Sequence, residues 1–262
     1  MIRQLVRARR RQILIDVSTQ KDFFLAEGSA CVRNHRRVLA NIRRMMAWVR
    51  ARNIRIISTC DVYPNNNGGD VNYCIDGTEG QKKIRYTLVG NRTNFAADGN
   101  TDLPVDVLRR YRQIILHKRC VDPFDEPRIE RLLSEVRANE FVLIGASAEG
   151  AVEAAALGLL QRGKKVTVVV DAVGTHNRRE AALAFRKIEA KGAKLVETKT
   201  FAGKSHLRRV GICNCKACQG RGFDTSTLRL RSGQAAPGAG RLTTRGENHR
   251  LNLKAKTDTT PI

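Results

Sequence analysis

Asp16, Lys118 and the turn over residues 145–151 carry the side chains best suited to chemistry. Asp16 closes the apolar run "QILID", and Lys118 follows the run "QIILH". A carboxylate and an ammonium across one cleft give either a general base beside a cationic stabiliser or a structural ion pair. The turn contains Gly145, Ala146, Ser147, Glu149, Gly150 and Ala151, and a helical pattern begins within it. Backbone N–H groups at such a helix start suit an anion or a developing oxyanion. A thiol there would be acidified and nucleophilic, yet the turn holds no cysteine. Ser147 and Glu149 remain, and a water attack assisted by Glu149 is a chemical option. Cys120, two residues past Lys118, reaches the cleft only from another wall. His117 reads as a strand-end histidine.

A second group lies near the C-terminal end. Cys213, Cys215 and Cys218 have C-x-C-x-x-C spacing, with His206 upstream. Thiolates so spaced could share one zinc ion with His206 as fourth ligand, or remain reduced thiols in a tail. The pattern is half of a paired C-x-x-C motif.

The elements that must position these residues follow from periodicity. Six strand-length runs recur at 12–16, 54–59, 113–117, 141–145, 165–170 and 193–197. Most are almost continuously apolar, as strands covered on both faces are. Amphipathic stretches at 35–52, 127–138, 149–162 and 178–191 lie between them, and Gly163 and Gly192 stop the last two. This alternation predicts an α/β fold: a six-stranded parallel sheet in three layers, helices on both faces. Ligands bind beyond the carboxyl ends of such strands, where Asp16, Lys118 and the 145–151 turn are expected to converge. The turn-rich interval 61–112 reads as a functional rim or excursion.

The chain has 262 residues and a formal net charge of +23. Residues 1–12 contribute +5, residues 203–262 contribute +9, and residues 13–202 the remaining +9. The organisation expected is a basic arm at 1–11, a folded domain at 12–202, a cysteine-rich segment at 203–222 and a disordered basic tail at 223–262. The basic flanks suggest weak polyanion contact, although no helix-turn-helix, zinc-finger or aromatic-rich basic strand pattern supports a specific reader. No run reaches the roughly 20 apolar residues of a membrane helix, and no secretory pattern precedes residue 12. A cytoplasmic protein is expected. Seven cysteines without such a signal argue against a disulfide framework.

The blocks "LIDVSTQKDFF", "TCDVYP", "NYCIDGTEG", "LHKRCVDPFDE", "LIGASAEGAVEAAALGLL" and "VTVVVDAVGTHN" together resemble the isochorismatase-like cysteine hydrolases, a group that includes nicotinamidases. The resemblance covers about residues 10–200 and implies a Rossmann-like sheet. It also implies a catalytic aspartate at Asp16, a lysine at Lys118 and a nucleophilic cysteine at the position of Ala151. A cis peptide is implied at Gly145–Ala146, beside the oxyanion hole. Within the first block, "DVSTQKDF" is then two residues longer than the commoner "DMQNDF". The metal-binding pattern Asp-x-His-x-x-x-His falls on Asp61, Tyr63 and Asn67, so both imidazoles are missing. Cys74 matches the cysteine of the structural "HCVxGTxG" loop.

Two functions stay open. One is a hydrolase of a small amide or enol ether that uses Asp16, Lys118 and possibly Glu149 with water. The other is a pseudoenzyme that has lost the cysteine chemistry and keeps a small-molecule ligand in the cleft. Family resemblance implies a homo-oligomer in either case.

Overall fold

The computed structural model describes residues 12–65, 71–136, 138 and 140–203. The arm 1–11, the cysteine cluster with His206, the tail 223–262 and Asn67 lie outside the described residues.

Among the described residues the seven strands are β1 (Gln12–Val17), β2 (Arg55–Asp61), β3 (Arg92–Phe95), β4 (Gln113–Lys118), β5 (Glu140–Gly145), β6 (Val166–Val173) and β7 (Lys194–Val196). They form one parallel sheet in the order β3-β4-β2-β1-β5-β6-β7. The helices are α1 (Lys21–Phe24), α2 (His35–Arg52), α3 (Val107–Arg110), α4 (Pro127–Glu135), α5 (Glu153–Gln161), α6 (Arg178–Ala190) and α7 (Thr198–Ala202).

The expected three-layer α/β fold is present, with one correction. The sheet has seven strands rather than six. The additional β3 is a four-residue edge strand in the turn-rich 61–112 interval, and its alternate residues are exposed. A short edge strand offers no apolar run to find.

Side chains on successive strand residues point to opposite faces, and the core divides accordingly. Ile13, Ile15, Val17, Ile57, Ile114 and Leu116 pack with residues of α4, α5 and α6. Leu14, Ile56, Val142 and Ile144 pack with Val38, Ile42, Met45, Met46 and Val49 of α2. Each face thus has its own apolar helix stripe, with Trp48 and Phe24 fully buried on the α2 side.

Glycine is required where β5 meets β1. Gly145 has φ +127°, and a Cβ there would lie 1.8 Å from the Val17 carbonyl oxygen. Any side chain would force the two strand ends apart. Gly80 plays a similar part in the "GTEG" loop, because a Cβ would lie 2.2 Å from the Asp22 carboxylate.

Candidate functional site

The site is built at the carboxyl ends of β1, β2 and β4. In the β2–β4 register, Asp61 stands beside Lys118. Both are buried, and they form an ion pair. Lys118 Nζ also donates to the carbonyl oxygens of Cys120 (2.8 Å) and Val121 (3.2 Å). An ammonium has three donors, and here all three have acceptors within the protein. Ser18, immediately after β1, is completely buried and donates from Oγ to Asp61 Oδ1 at 3.0 Å. Gln20 fixes the Asp61 backbone in both directions: its Oε1 accepts from Asp61 N at 2.7 Å, and its Nε2 donates to Asp61 O at 2.7 Å.

Asp16 is placed elsewhere. It follows Leu14 on the α2 face and accepts a hydrogen bond from Ser58 Oγ at 2.9 Å. Its buried counter-ion is Lys83, at 2.8 Å. Lys83 reaches this position because residues 18–22 pair with residues 80–84 through Lys21 N→Lys82 O, Asp22 N→Gly80 O and Ile84 N→Thr19 O. Its Nζ donates to Thr19 Oγ1 as well. Burial works to lower the Lys83 pKa, but the charges and hydrogen bond of Asp16 outweigh it, and the net shift is upward. Asp61 continues the row of Ile57, and Lys118 the row of Ile114 and Leu116, both on the other face. The expected meeting of Asp16 with Lys118 is therefore corrected: strand alternation places the two side chains on opposite sides of the sheet.

Ala151 packs in the core cluster that contains Ile57, Leu116 and Val17, with 6% of its surface exposed. It belongs to a π-helical turn, Ala148–Val152, that precedes α5. Four N–H groups between residues 146 and 152 have backbone acceptors. Ala146 N donates to Val17 O, Ala148 N to Gly174 O, and both Gly150 N and Val152 N to Ser147 O. The cis peptide bond is Ala146–Ser147, one residue later than the Gly145–Ala146 bond expected. Glu149 Oε1 accepts from the backbone N–H groups of His176 (2.6 Å) and Asn177 (3.1 Å), which ties the turn to the loop after β6. Glu149 Oε2 is buried without a hydrogen-bond partner among the described residues.

None of the described cysteines replaces a thiol at 151. Burial pushes Cys60 up to about 12 and raises Cys74 further. Cys120 is exposed, and desolvation followed by the nearby Asp125 raises its pKa too. Each of these shifts favours the thiol over the nucleophilic thiolate.

The residues at the family's metal position do not fit a metal. Asp61 is committed to Lys118 and Ser18. Tyr63 packs edge to face on Tyr73, ring centroids 5.4 Å apart. Burial, with Asp61 close by, raises the pKa of Tyr63, and burial raises that of Tyr73. Protonated phenols are poor metal ligands beside imidazole or thiolate. No group of three His, Cys, Asp or Glu side chains capable of holding an ion occurs among the described residues.

Two residues escaped the sequence reading. Ser18 aligns with the first aspartate of "DMQNDF" when "STQKDF" is laid on that pattern without an expansion. Tyr73, just before Cys74, stands at the histidine of the "HCVxGTxG" loop. Both signals were present in the spacing, but the aspartate two residues earlier drew the alignment away from Ser18.

Comparison with known proteins gives a consistent fold. Residues 12–200 match the isochorismatase domain. The zinc complex of pyrazinamidase from Pyrococcus horikoshii is similar over 71% of this chain and 99% of its own, with 20% identity and a TM-score of 0.57. Nicotinamidase from Bacillus subtilis covers the same shares at 17% identity and a TM-score of 0.57. N-carbamoylsarcosine amidase from Thermoplasma acidophilum covers 72% of this chain and 96% of its own, at 18% identity and a TM-score of 0.54. No curated protein matches the chain.

Proposed function

The chain belongs to the isochorismatase family, and from that premise we propose that it is a member without the cysteine-hydrolase reaction. The observation that carries this reading is the pair of substitutions at one site: a methyl group at Ala151 and a hydroxyl at Ser18, where the family pattern has a thiol and a carboxylate. A methyl group has no lone pair to attack a carbonyl. A serine hydroxyl that donates to Asp61 cannot take a proton at neutral pH. Lys118, the one member of the family's catalytic trio kept, spends its donors on Asp61 and two carbonyls rather than on a substrate. The three polar side chains satisfy one another, and the site becomes a buried network that braces the strand ends.

Nicotinamide, pyrazinamide and N-carbamoylsarcosine are the substrates to try, because similar folds are named for acting on them. Wild-type protein is expected to release no ammonia from any of the three. Release that disappears in Lys118→Met would overturn the reading. Replacing Ala151→Cys alone should leave the new thiol slow toward iodoacetamide. Ser18→Asp together with Ala151→Cys should label faster, because the carboxylate then accepts the thiol proton.

A second reading keeps one observation in its favour. The unpartnered Oε2 of Glu149 is a carboxylate oxygen with free acceptor capacity beside the turn. A water activated there would make Glu149 a general base. Turnover abolished by Glu149→Gln, with Asp16→Asn without effect, would establish it in place of the first reading. A small-molecule ligand, self-association and a cytoplasmic location stay as proposals. No described helix is long and apolar enough to cross a membrane.

A further inference from the structure

The positive charge of the folded domain is concentrated in one segment centred on α2. Residues 13–202 carry 31 basic and 22 acidic side chains. Residues 28–60 hold eight arginines, no lysine and no acid, so the rest of the domain carries 23 basic against 22 acidic. The centre of this segment is α2, whose arginines fall at 36 and 37, 43 and 44, and 50 and 52. Steps of seven residues return to nearly the same side of a helix, about 10.5 Å further along its axis. The arginines therefore form a ladder on the side away from the core, while Val38, Ile42, Met45, Met46 and Val49 fill the sheet-facing stripe.

Several rungs are held in place from beneath. Arg43 lies over the Tyr86 ring at 4.9 Å, and Arg52 over the Trp48 ring at 5.6 Å. Arg50 donates to the carbonyl oxygens of Tyr86 and Leu88. Arg44 donates to Asn41, which is itself tied to Asp171 O. Arg36, Arg37 and, one turn before them, Arg33 are exposed. Side chains ordered in advance lose less freedom when they bind.

The geometry points to α2 as a binding face for the phosphate backbone of nucleic acid. Arginine, with no lysine, suits this role because its planar fork pairs with phosphate in two hydrogen bonds. An anionic bilayer fits the face less well. A helix that lies on a membrane inserts an apolar face, but the apolar face of α2 is spent on the sheet. The exposed large apolar residues described are Val105, Val121 and Leu183, none of them on α2. The ladder reads no base edge, so the binding is independent of sequence.

The test uses the full chain and a fluorescein-labelled oligouridine of about 20 nucleotides, followed by anisotropy across salt concentrations. Arg36→Gln, Arg37→Gln and Arg44→Gln together are compared with Arg178→Gln, Arg179→Gln and Arg186→Gln, exposed arginines of α6 on the opposite layer. Both triple variants lose the same charge. The α2 variant is expected to lose tenfold or more in affinity, and the slope of log affinity against log salt should fall by about 2, at about 0.7 for each single-strand phosphate contact. The α6 variant should stay within about twofold of wild type. Lysine at the three α2 positions should restore most of the affinity and also shows that the helix tolerates substitution. Equal losses in both variants would mean that net charge alone attracts the RNA, and the proposal falls. It falls also if wild type binds phosphatidylserine vesicles through α2 but not the oligouridine.

Discussion

Ser18 and Asp61 are joined by a buried hydrogen bond of 3.0 Å, and the same carboxylate pairs with Lys118. The arrangement is self-contained, and its removal should be costly from either side. Lys118→Met leaves Asp61 as a buried, uncompensated charge, for which about 3–5 kcal/mol of lost stability is the ordinary scale. Asp61→Asn should cost a similar amount, and the double variant far less than the sum of the two. Urea unfolding of the three proteins checks this. Additive losses would show that the two side chains do not act as a pair.

Asp16 and Lys83 give a parallel case on the other face of the sheet. If their pair is structural, a change to apolar residues of similar size is tolerated. Asp16→Leu with Lys83→Met should fall between neutral and about 3 kcal/mol more stable than wild type, whereas Lys83→Met alone should be destabilised by about 3–5 kcal/mol. Ser58 Oγ loses its acceptor in the double variant, which works against the gain. A double variant as unstable as the single one would show that the apolar replacement does not pack.

The comparison of these two pairs explains what was legible in the sequence. The core strands and α2 were readable because each is a long apolar run or a stripe with one period, and burial of that pattern admits one arrangement. Strand β3 was not, because "RTNF" at a sheet edge is half exposed and has no apolar signature. The site was half legible. Lys118 lies at the end of a strand and was placed by strand length alone. Asp16 was assigned to the same cleft because position along the strand was read without its parity. A shift of one residue along a strand moves a side chain to the other face, so the strand end alone could not decide it. Lys83, the partner that neutralises Asp16, comes from a loop more than 60 residues away in sequence. No local pattern announces such a pair.

The phenol pair at Tyr63 and Tyr73 makes the metal position reversible by design. Tyr63→His and Tyr73→His together would surround Asp61 with two imidazoles, a set that suits zinc. After incubation with zinc and dialysis, the double variant should hold one more zinc ion per chain than wild type by elemental analysis. The comparison is a difference, so any metal held by Cys213, Cys215, Cys218 and His206 cancels. An unchanged zinc content would show that Asp61 cannot leave Lys118 for a metal.

His117 provides a pH test of the buried charges. It stands beside Cys60 in the β2–β4 register. Burial lowers its pKa, and the positive charge of Lys83 lowers it further, with Asp76 opposing. A base whose folded pKa lies below its unfolded value binds fewer protons in the native state at mildly acidic pH. Stability from this group is complete above the unfolded value of about 6.5 and is lost as pH falls below it, by at most about 1.4 kcal/mol per pH unit. Unfolding free energies should therefore be level near pH 7–8 and decline toward pH 5. His117→Gln should remove one proton's share of that slope. If the slope is the same in both proteins, the histidine titrates alike in the folded and unfolded chain, and the field of Lys83 does not reach it.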